Sequence, residues 1–402
     1  MKIVQINANY NSSSIGRTTS ELHNWLMEHG EESYVFTTQK GVIDTNVFPV
    51  GNDFDHKVHS LCSRLFGLQG YFSFLATQKM LRKLKEIKPN IIHLRNLHAN
   101  YINLPMLLKY IAENNIGCVI TLHDCWLLTG HCCYYVKAGC DKWIVECHNC
   151  PMMKYDNNSW FFDTSRKCFR NKKRLFGNVK RMAVLGNSKW TFEQAQQSYL
   201  QNSPIIDYVY NWIDRETFYP IKTFDYWGKL KIRDRKFVVL GVCEGWCRAK
   251  GLHVFVELAR RFPDYTFLLI GSVVEEMGFT NNIISVGTTR NNEELCEYYS
   301  HADVLLNPSV QETFGKVSAE ALCCGTPIIV NRATANPELV GDGCGYVVDN
   351  NDVQQYADYI QEIKKNGKEK YSKKCVKFAA ANFDKETNIK ANVSIYERLL
   401  NI

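Results

Sequence analysis

"SVQETFGKVSAEALCCGTPIIV", residues 309–330, sets two glutamates, Glu312 and Glu320, eight positions apart around a Phe-Gly pair and just ahead of an apolar strand. The run before it, DVLLNPS (303–309), reads as a buried strand. VQETFG is then the loop at that strand's carboxyl end, and KVSAEALCCG a helix closed by Gly325. Eight residues at about 100° each bring Glu320 back near the face of Glu312, two turns further along. Glu312 therefore belongs at the carboxyl edge of a sheet, where doubly wound folds bind ligands. Gly315 leaves the backbone open to close approach, and the first amides of the helix offer an anion site. Two carboxylates flanking such a site suit the hydroxyls of a sugar and a ribose, with a diphosphate between them.

Short β-branched runs separated by amphipathic stretches extend this reading across the chain. KIVQINA (2–8), SYVFTT (33–38), IIHLRN (91–96), CVITLHD (118–124) and RMAVLGNS (181–188) form one series. FVVLGVCE (237–244), TFLLIGS (266–272), IISVGTT (283–289), DVLLNPS, PIIV (327–330) and GYVVD (345–349) form a second. Strands alternating with helices specify parallel sheets covered on both faces, and two series specify two domains. The break falls near VYNWIDRETFYP (209–220), where aromatic and turn residues replace the helical pattern. The expected class is α/β, with two facing Rossmann-like domains and a ligand cleft between them. The first domain is expected to take residues 1–205, a Cys-rich insertion at 125–155 and a last helix at 384–402; the second takes 206–383.

Composition narrows the classes. With 402 residues the chain exceeds one ordinary core. Its amino terminus, MKIVQINANY, alternates and turns polar, as a first strand does and a signal peptide does not. No apolar run approaches the roughly 18 residues that cross a bilayer. A cytoplasmic protein is expected, with any membrane contact peripheral on the inner face. Sixteen cysteines in a chain of this length without an export signal read as reduced or metal-bound thiols. The net charge of +7 is concentrated in SRKCFRNKKRLFGNVKR (165–181). There Arg166, Lys167, Arg170, Lys172, Lys173 and Arg174 beside Phe169, Leu175 and Phe176 predict a basic amphipathic helix for an anionic membrane surface. A nucleic-acid-binding protein would need aromatic stacking platforms and a more basic domain. Asp53 and Asp55 in GNDFDH have the D-x-D spacing of a metal-binding pair but read as surface acids in a loop.

The stretch 308–330 resembles the E-x7-E signature of the family 4 retaining glycosyltransferases, which have the GT-B fold. Further stretches match that family in order: GRTTSEL after the first strand, LGNSKW, YNWIDRETFYP as the hinge, CRAKGL, and EYYSHADVLLNPS ahead of the signature. The resemblance covers essentially the whole chain. It implies that Glu320 holds the nucleotide ribose, that Glu312 orients the donor sugar, and that amides around Phe314, Gly315 and Lys316 meet the diphosphate. It also implies that Lys250 neutralises the departing phosphate, with Arg248 as its arginine companion. Relatives carry that arginine in a Gly-Arg pair or directly before the lysine. Here Trp246 follows Gly245 and Ala249 precedes Lys250. His123, at the end of a strand in TLHDCW, matches a histidine near the transferring sugar; Asp124 beside it is a candidate for activating the acceptor. Gly16, in the loop after the first strand, would let donor or acceptor come close. The implied donor is a UDP- or GDP-sugar, the acceptor a glycan or lipid-linked glycan, and no catalytic metal is expected. With no carboxylate assigned beneath the anomeric carbon, the implied chemistry is front-face attack, the leaving diphosphate taking the acceptor proton. An epimerase or a phosphorylase on the same scaffold is the alternative; E-x7-E argues against the first and the lack of a pyridoxal lysine context against the second.

HDCWLLTGHCCYYVKAGCDKWIVECHNCP (123–151) is the other informative stretch. Cys132, Cys140, Cys147 and Cys150 give C-x7-C-x6-C-x2-C, ending in a pair spaced as in a zinc knuckle, and four thiolates satisfy a structural Zn²⁺. Cys125, Cys133, His131 and His148 are possible substitutes, and buried reduced cysteines without metal remain the alternative. A similar segment occurs in the capsule and exopolysaccharide (colanic-acid-type) subgroup of the family.

Overall fold

The computed structural model describes residues 1–42, 44–221, 237–275 and 277–402. The chain divides into two compact units, Met1–Val209 with Ile389–Ile402, and Tyr210–Asn388.

The first unit is built on a parallel sheet of seven strands in the order β3-β2-β1-β4-β5-β6-β7. These are β1 (Lys2–Ile6), β2 (Glu32–Thr37), β3 (Val47–Pro49), β4 (Ile91–Leu94), β5 (Gly117–Leu122), β6 (Met182–Gly186) and β7 (Ile205–Tyr208). β1 pairs on both sides, Ile3 opposite Ser33 and Ile91, and the order reverses between β1 and β4. Helices α1 (Ser13–Glu28), α2 (Asp53–Phe66), α3 (Phe74–Ile87), α4 (Leu104–Glu113), α5 (Ser165–Gly177) and α6 (Lys189–Gln197) connect the strands. Because both faces are covered, polar side chains at the end of β1 and just beyond it are buried as well. Gln5 donates to the Thr19 carbonyl (3.1 Å) and Asn7 to the Thr19 hydroxyl (2.9 Å).

The second unit carries a parallel sheet of six strands, β10-β9-β8-β11-β12-β13. The strands are β8 (Val238–Trp246), β9 (Thr266–Val273), β10 (Ile283–Gly287), β11 (Val304–Asn307), β12 (Ile328–Asn331) and β13 (Gly345–Val348). Its helices are α7 (Leu252–Arg261), α8 (Asn292–His301), α9 (Lys316–Cys323), α10 (Val353–Asn366) and α11 (Glu369–Asn382). A last helix, α12 (Lys385–Leu400), contributes its residues from Ile389 onward to the first unit. There Tyr396 hydrogen-bonds His93 Nδ1 at 2.6 Å and Arg398 pairs with Asp207 at 3.1 Å.

Three local expectations change. Gly16 lies in the first turn of α1, not in a loop. A Cβ there would sit 3.1 Å from Asn9 Cβ, so the bare glycine lets the helix start pack against the strand-end turn. Asp53 and Asp55 open α2: Asn52 and Asp55 form a capping box, and Asp53 pairs with Lys40 at 2.8 Å. The α5 segment is helical, but Phe169 and Phe176 are buried inside the unit together with Lys172. Its apolar side therefore faces the protein and has nothing left to insert into a bilayer. The Cys-rich insertion has little regular structure, yet Trp126, Cys132, Tyr135, Trp143 and Met152 are continuous with the first unit's core.

Candidate active site

In the second unit three loops meet at the carboxyl edge of adjacent strands β8, β11 and β12. The loop after β11 carries Glu312, whose amide donates to the Thr334 hydroxyl (2.7 Å) while that hydroxyl donates to the Glu312 carbonyl (2.6 Å). Thr334 belongs to the loop after β12, so the two loops are fastened to each other. After β8 the chain makes a tight turn, Arg248–Lys250, and Gly251 takes a φ of 80°. A Cβ on Gly251 would lie 2.3 Å from Pro308 Cγ, and Val310 N donates to the Ala249 carbonyl at 3.2 Å. This contact brings Lys250 Nζ to 2.6 Å from Glu312 Oε1. Burial pulls the lysine's pKa down, but the Glu312 charge outweighs it and raises the pKa, so Lys250 is a cation held by a carboxylate.

Gly315, at φ 86°, caps α9, and a Cβ on it would sit 2.9 Å from Leu339 Cδ1. The first amides of the helix have no intrahelical partner. Phe314 is buried with Tyr210 and Phe383, at ring distances of 6.1 and 5.4 Å. Lys316 Nζ is 3.9 Å from Glu320 Oε1, and Glu320 Oε2 accepts the Tyr299 hydroxyl at 2.9 Å. Glu320 is only 5 % exposed. Its carboxylate is thus largely covered, one oxygen held by Tyr299. Gly325, at φ 75°, ends the helix as expected. Arg248 is exposed and its amide donates to Glu275 Oε2 at 2.7 Å. Trp246 is buried against Phe255 and donates to the Ile270 carbonyl at 3.0 Å. An arginine at 246 would be driven into the core, which accounts for the departure from the Gly-Arg pattern. The structure thus brings Lys250 and Glu312 together, and Lys316 and Glu320.

The other sequence-derived residues belong to the first unit. His123 and Asp124 follow β5. Burial, reinforced by the nearby Arg95 charge, lowers the His123 pKa to about 3, so the imidazole is neutral. Asp124 accepts from His98 Nε2 at 2.8 Å and from the Trp126 amide at 2.7 Å. Burial opposes a charged His98, but Asp124 prevails and raises its pKa. His98 and Tyr299 were not singled out from sequence. A histidine four residues beyond the end of β4 was the available signal for His98; nothing marked Tyr299.

Cys132, Cys140, Cys147 and Cys150 line one small cavity of about 10 Å³, room for a single water-sized species. Gly130 N donates to Cys147 Sγ at 3.2 Å, and hydrogen bonding from Cys132 lowers the Cys150 pKa. None of the sixteen cysteines forms a disulfide. Among the described residues the ligand atoms that lie within 4.8 Å of one another are those of His98, Asp124 and Cys133, not those of the four expected cysteines.

Comparison with known proteins agrees with the fold. The chain is 24 % identical over 238 residues to an uncharacterized 41.2 kDa protein in the cps region of Klebsiella pneumoniae, covering 56 % of this chain and 66 % of that protein. It is 27 % identical over 213 residues to a D-inositol 3-phosphate glycosyltransferase of Mycobacterium sp. (strain KMS), covering 49 % and 48 %. It therefore spans about half to two thirds of the length of these curated relatives. Anabaena Alr3699/HepE, solved in complex with UDP, superposes with a TM-score of 0.66 at 18 % identity, covering 99 % of this chain and all of that one (100 %). The two Rossmann-like units are those of the GT-B fold. Residues 229–382, which include Lys250, Glu312 and Glu320, match the glycosyl transferases group 1 family.

Proposed function

We propose that the chain is a retaining glycosyltransferase that moves a sugar from a nucleotide-sugar donor to a glycan or lipid-linked glycan in polysaccharide biosynthesis. The observation that carries this reading is the Lys250–Glu312 pair beside the open amino terminus of α9. A diphosphate on those amides would compete with Glu312 for Lys250 and release the carboxylate to accept donor-sugar hydroxyls. Glu320, steadied by Tyr299, takes the ribose hydroxyls. Arg248 is close in sequence and exposed, free to swing onto the phosphates. Charge develops on the leaving diphosphate as the glycosidic bond breaks, and Lys250 and the helix amides stabilise it there. The acceptor hydroxyl attacks from the same face and passes its proton to the departing phosphate oxygen. His123, neutral, serves by hydrogen bonding to the sugar and not as an acid.

Four cysteines around a one-atom cavity, with an amide aimed at Cys147, support a structural Zn²⁺ that closes the insertion by a small movement of the sulfurs. Elemental analysis of protein prepared without chelator checks this, and zinc-free folded protein removes it. For the reaction, the test is a thermal-shift panel of UDP-, GDP-, ADP- and CMP-sugars. One nucleotide class should raise the melting temperature of the wild type and not of Lys250→Gln. Stabilisation by oligonucleotides instead would sink the reading.

A further inference from the structure

Three sets of exposed apolar side chains in the first unit gather in one region. Along α2, Phe54, Val58 and Leu61 are 73, 42 and 51 % exposed, at the i, i+4, i+7 spacing of a single helix stripe. At the start of α3, Phe74 and Leu75 are 59 and 79 % exposed. That helix start is fixed beside α2 by the 2.7 Å hydrogen bond between His59 Nδ1 and the Ser73 hydroxyl. The Trp160-Phe161-Phe162 loop, exposed throughout, is tied to the other end of α2, Trp160 N donating to the Arg64 carbonyl at 2.7 Å. Beside Leu75 an open groove of about 610 Å³, lined by Phe48, Ala76 and Met80 with Lys79 at its side, continues the apolar surface. Scattered exposed apolar residues are ordinary; a helix stripe, a helix start and an aromatic loop side by side are not.

The charges around this region select its occupant. Lys57 and Arg64 are exposed on α2, as is Lys167 on α5, and among the described residues none of the three forms an ion pair. α5 is held to the same corner by the 3.1 Å hydrogen bond from Asn171 to Tyr71. The acids nearby are engaged: Asp53 with Lys40, Asp55 in the helix cap, and Asp163 by the amides of Ser165 and Cys150. Two copies of this face would set cation against cation, which disfavours self-association. A basic rim around exposed aromatic and aliphatic side chains fits the headgroup layer of an anionic bilayer.

We propose that the surface formed by α2, the start of α3 and the Trp160–Phe162 loop is the membrane-docking face of this protein, with Lys57, Arg64 and Lys167 holding anionic headgroups. This deepens the reading of a membrane-borne acceptor, and rests on it for its purpose. The test is flotation of the full chain with phosphatidylcholine vesicles with and without phosphatidylglycerol. Wild type should float with the anionic vesicles at low salt and be released by added salt. Leu61→Ser/Phe74→Ser/Phe161→Ser should lower partitioning at least about tenfold, and Lys57→Glu/Lys167→Glu more than about tenfold, at roughly fivefold per charge removed. Melting temperature and the nucleotide-sugar shift should stay at wild-type values in both variants, which separates loss of docking from failure of the transferase reading. Wild type absent from anionic vesicles, or variants that float as well as wild type, would overturn the proposal. So would a wild-type dimer in sedimentation that the serine variant abolishes, since the face would then cover a second copy.

Discussion

Lys250 and Glu312 neutralise each other at 2.6 Å, so removing either leaves the other's charge without its partner. On the proposed reading Lys250→Gln deprives a donor diphosphate of its cation, and kcat/KM should fall about 10²–10³-fold, roughly 3–4 kcal/mol of transition-state stabilisation. Steady-state kinetics on the purified variant checks this, and near wild-type turnover would remove Lys250 from the reaction. Glu320 separates two effects. In Glu320→Ala the buried Tyr299 hydroxyl loses its acceptor, which should cost about 1–3 kcal/mol and lower the melting temperature. Glu320→Gln keeps an acceptor for Tyr299, so it should melt near wild type while binding nucleotide more weakly, a difference that calorimetry with and without ligand resolves. Glu312 was placed from sequence because it follows the end of a buried strand, and Lys250 through the family resemblance of CRAKGL. Glu320's burial was not legible, because helical spacing gives its direction along α9 and says nothing of the tyrosine that α8 supplies.

The loops that carry these residues are set by one close approach, the turn after β8 against Pro308. Gly251→Ala must fit a Cβ 2.3 Å from the proline ring at a φ of 80°. Strain of this kind is worth about 1–3 kcal/mol. The variant should lose stability by that order and displace Lys250, so that denaturant melts and nucleotide-sugar binding weaken together; loss of neither would mean the turn is not what positions the lysine. Strands β8 to β13 were all legible as β-branched runs, since parallel strands buried on both faces admit little else. β3, of three residues, was missed because it is too short to form such a run, and β7 because only Ile205 and Ile206 of its four residues are β-branched. α2 was read as a loop because its outward face is apolar and its inward contacts are made by His59 and Ser63, which inverts the usual amphipathic signal.

Across the whole chain the two units differ in how they hold histidine. In the first, burial lowers the pKa of His23, His59, His93, His123 and His131, with His59 and His123 at about 3. Each stays neutral while the unfolded chain takes up a proton near its ordinary 6.5, so stability falls as pH drops below that value. His98 acts oppositely: its pKa is raised, so its contribution is present in full below 6.5 and lost only as pH rises through the higher folded value. Five against one leaves a net loss on acidification, about 2 kcal/mol at pH 5 for each of His59 and His123. Among the described residues of the second unit only His253 is lowered. Hydrogen exchange at pH 7 and pH 5 should therefore show protection lost first in the first unit, and equal loss in both would contradict the assignment.

Helix α12 begins in one unit and is completed in the other, which bears on the order in which the molecule is made. During synthesis the seven-stranded sheet has all its strands once residue 208 has emerged, but its last helical cover arrives some 180 residues later (389 less 209). In the interval His93 lacks the Tyr396 hydroxyl and Asp207 lacks Arg398. The second unit's strands and helices all lie between those two points, so it can reach its native state while the first still waits, reversing the usual amino-terminal-first order. A fragment of residues 1–209 should accordingly be loosely packed, and a separate peptide of residues 383–402 should tighten it; a fragment that is fully native alone would show that the late helix decorates a fold already closed.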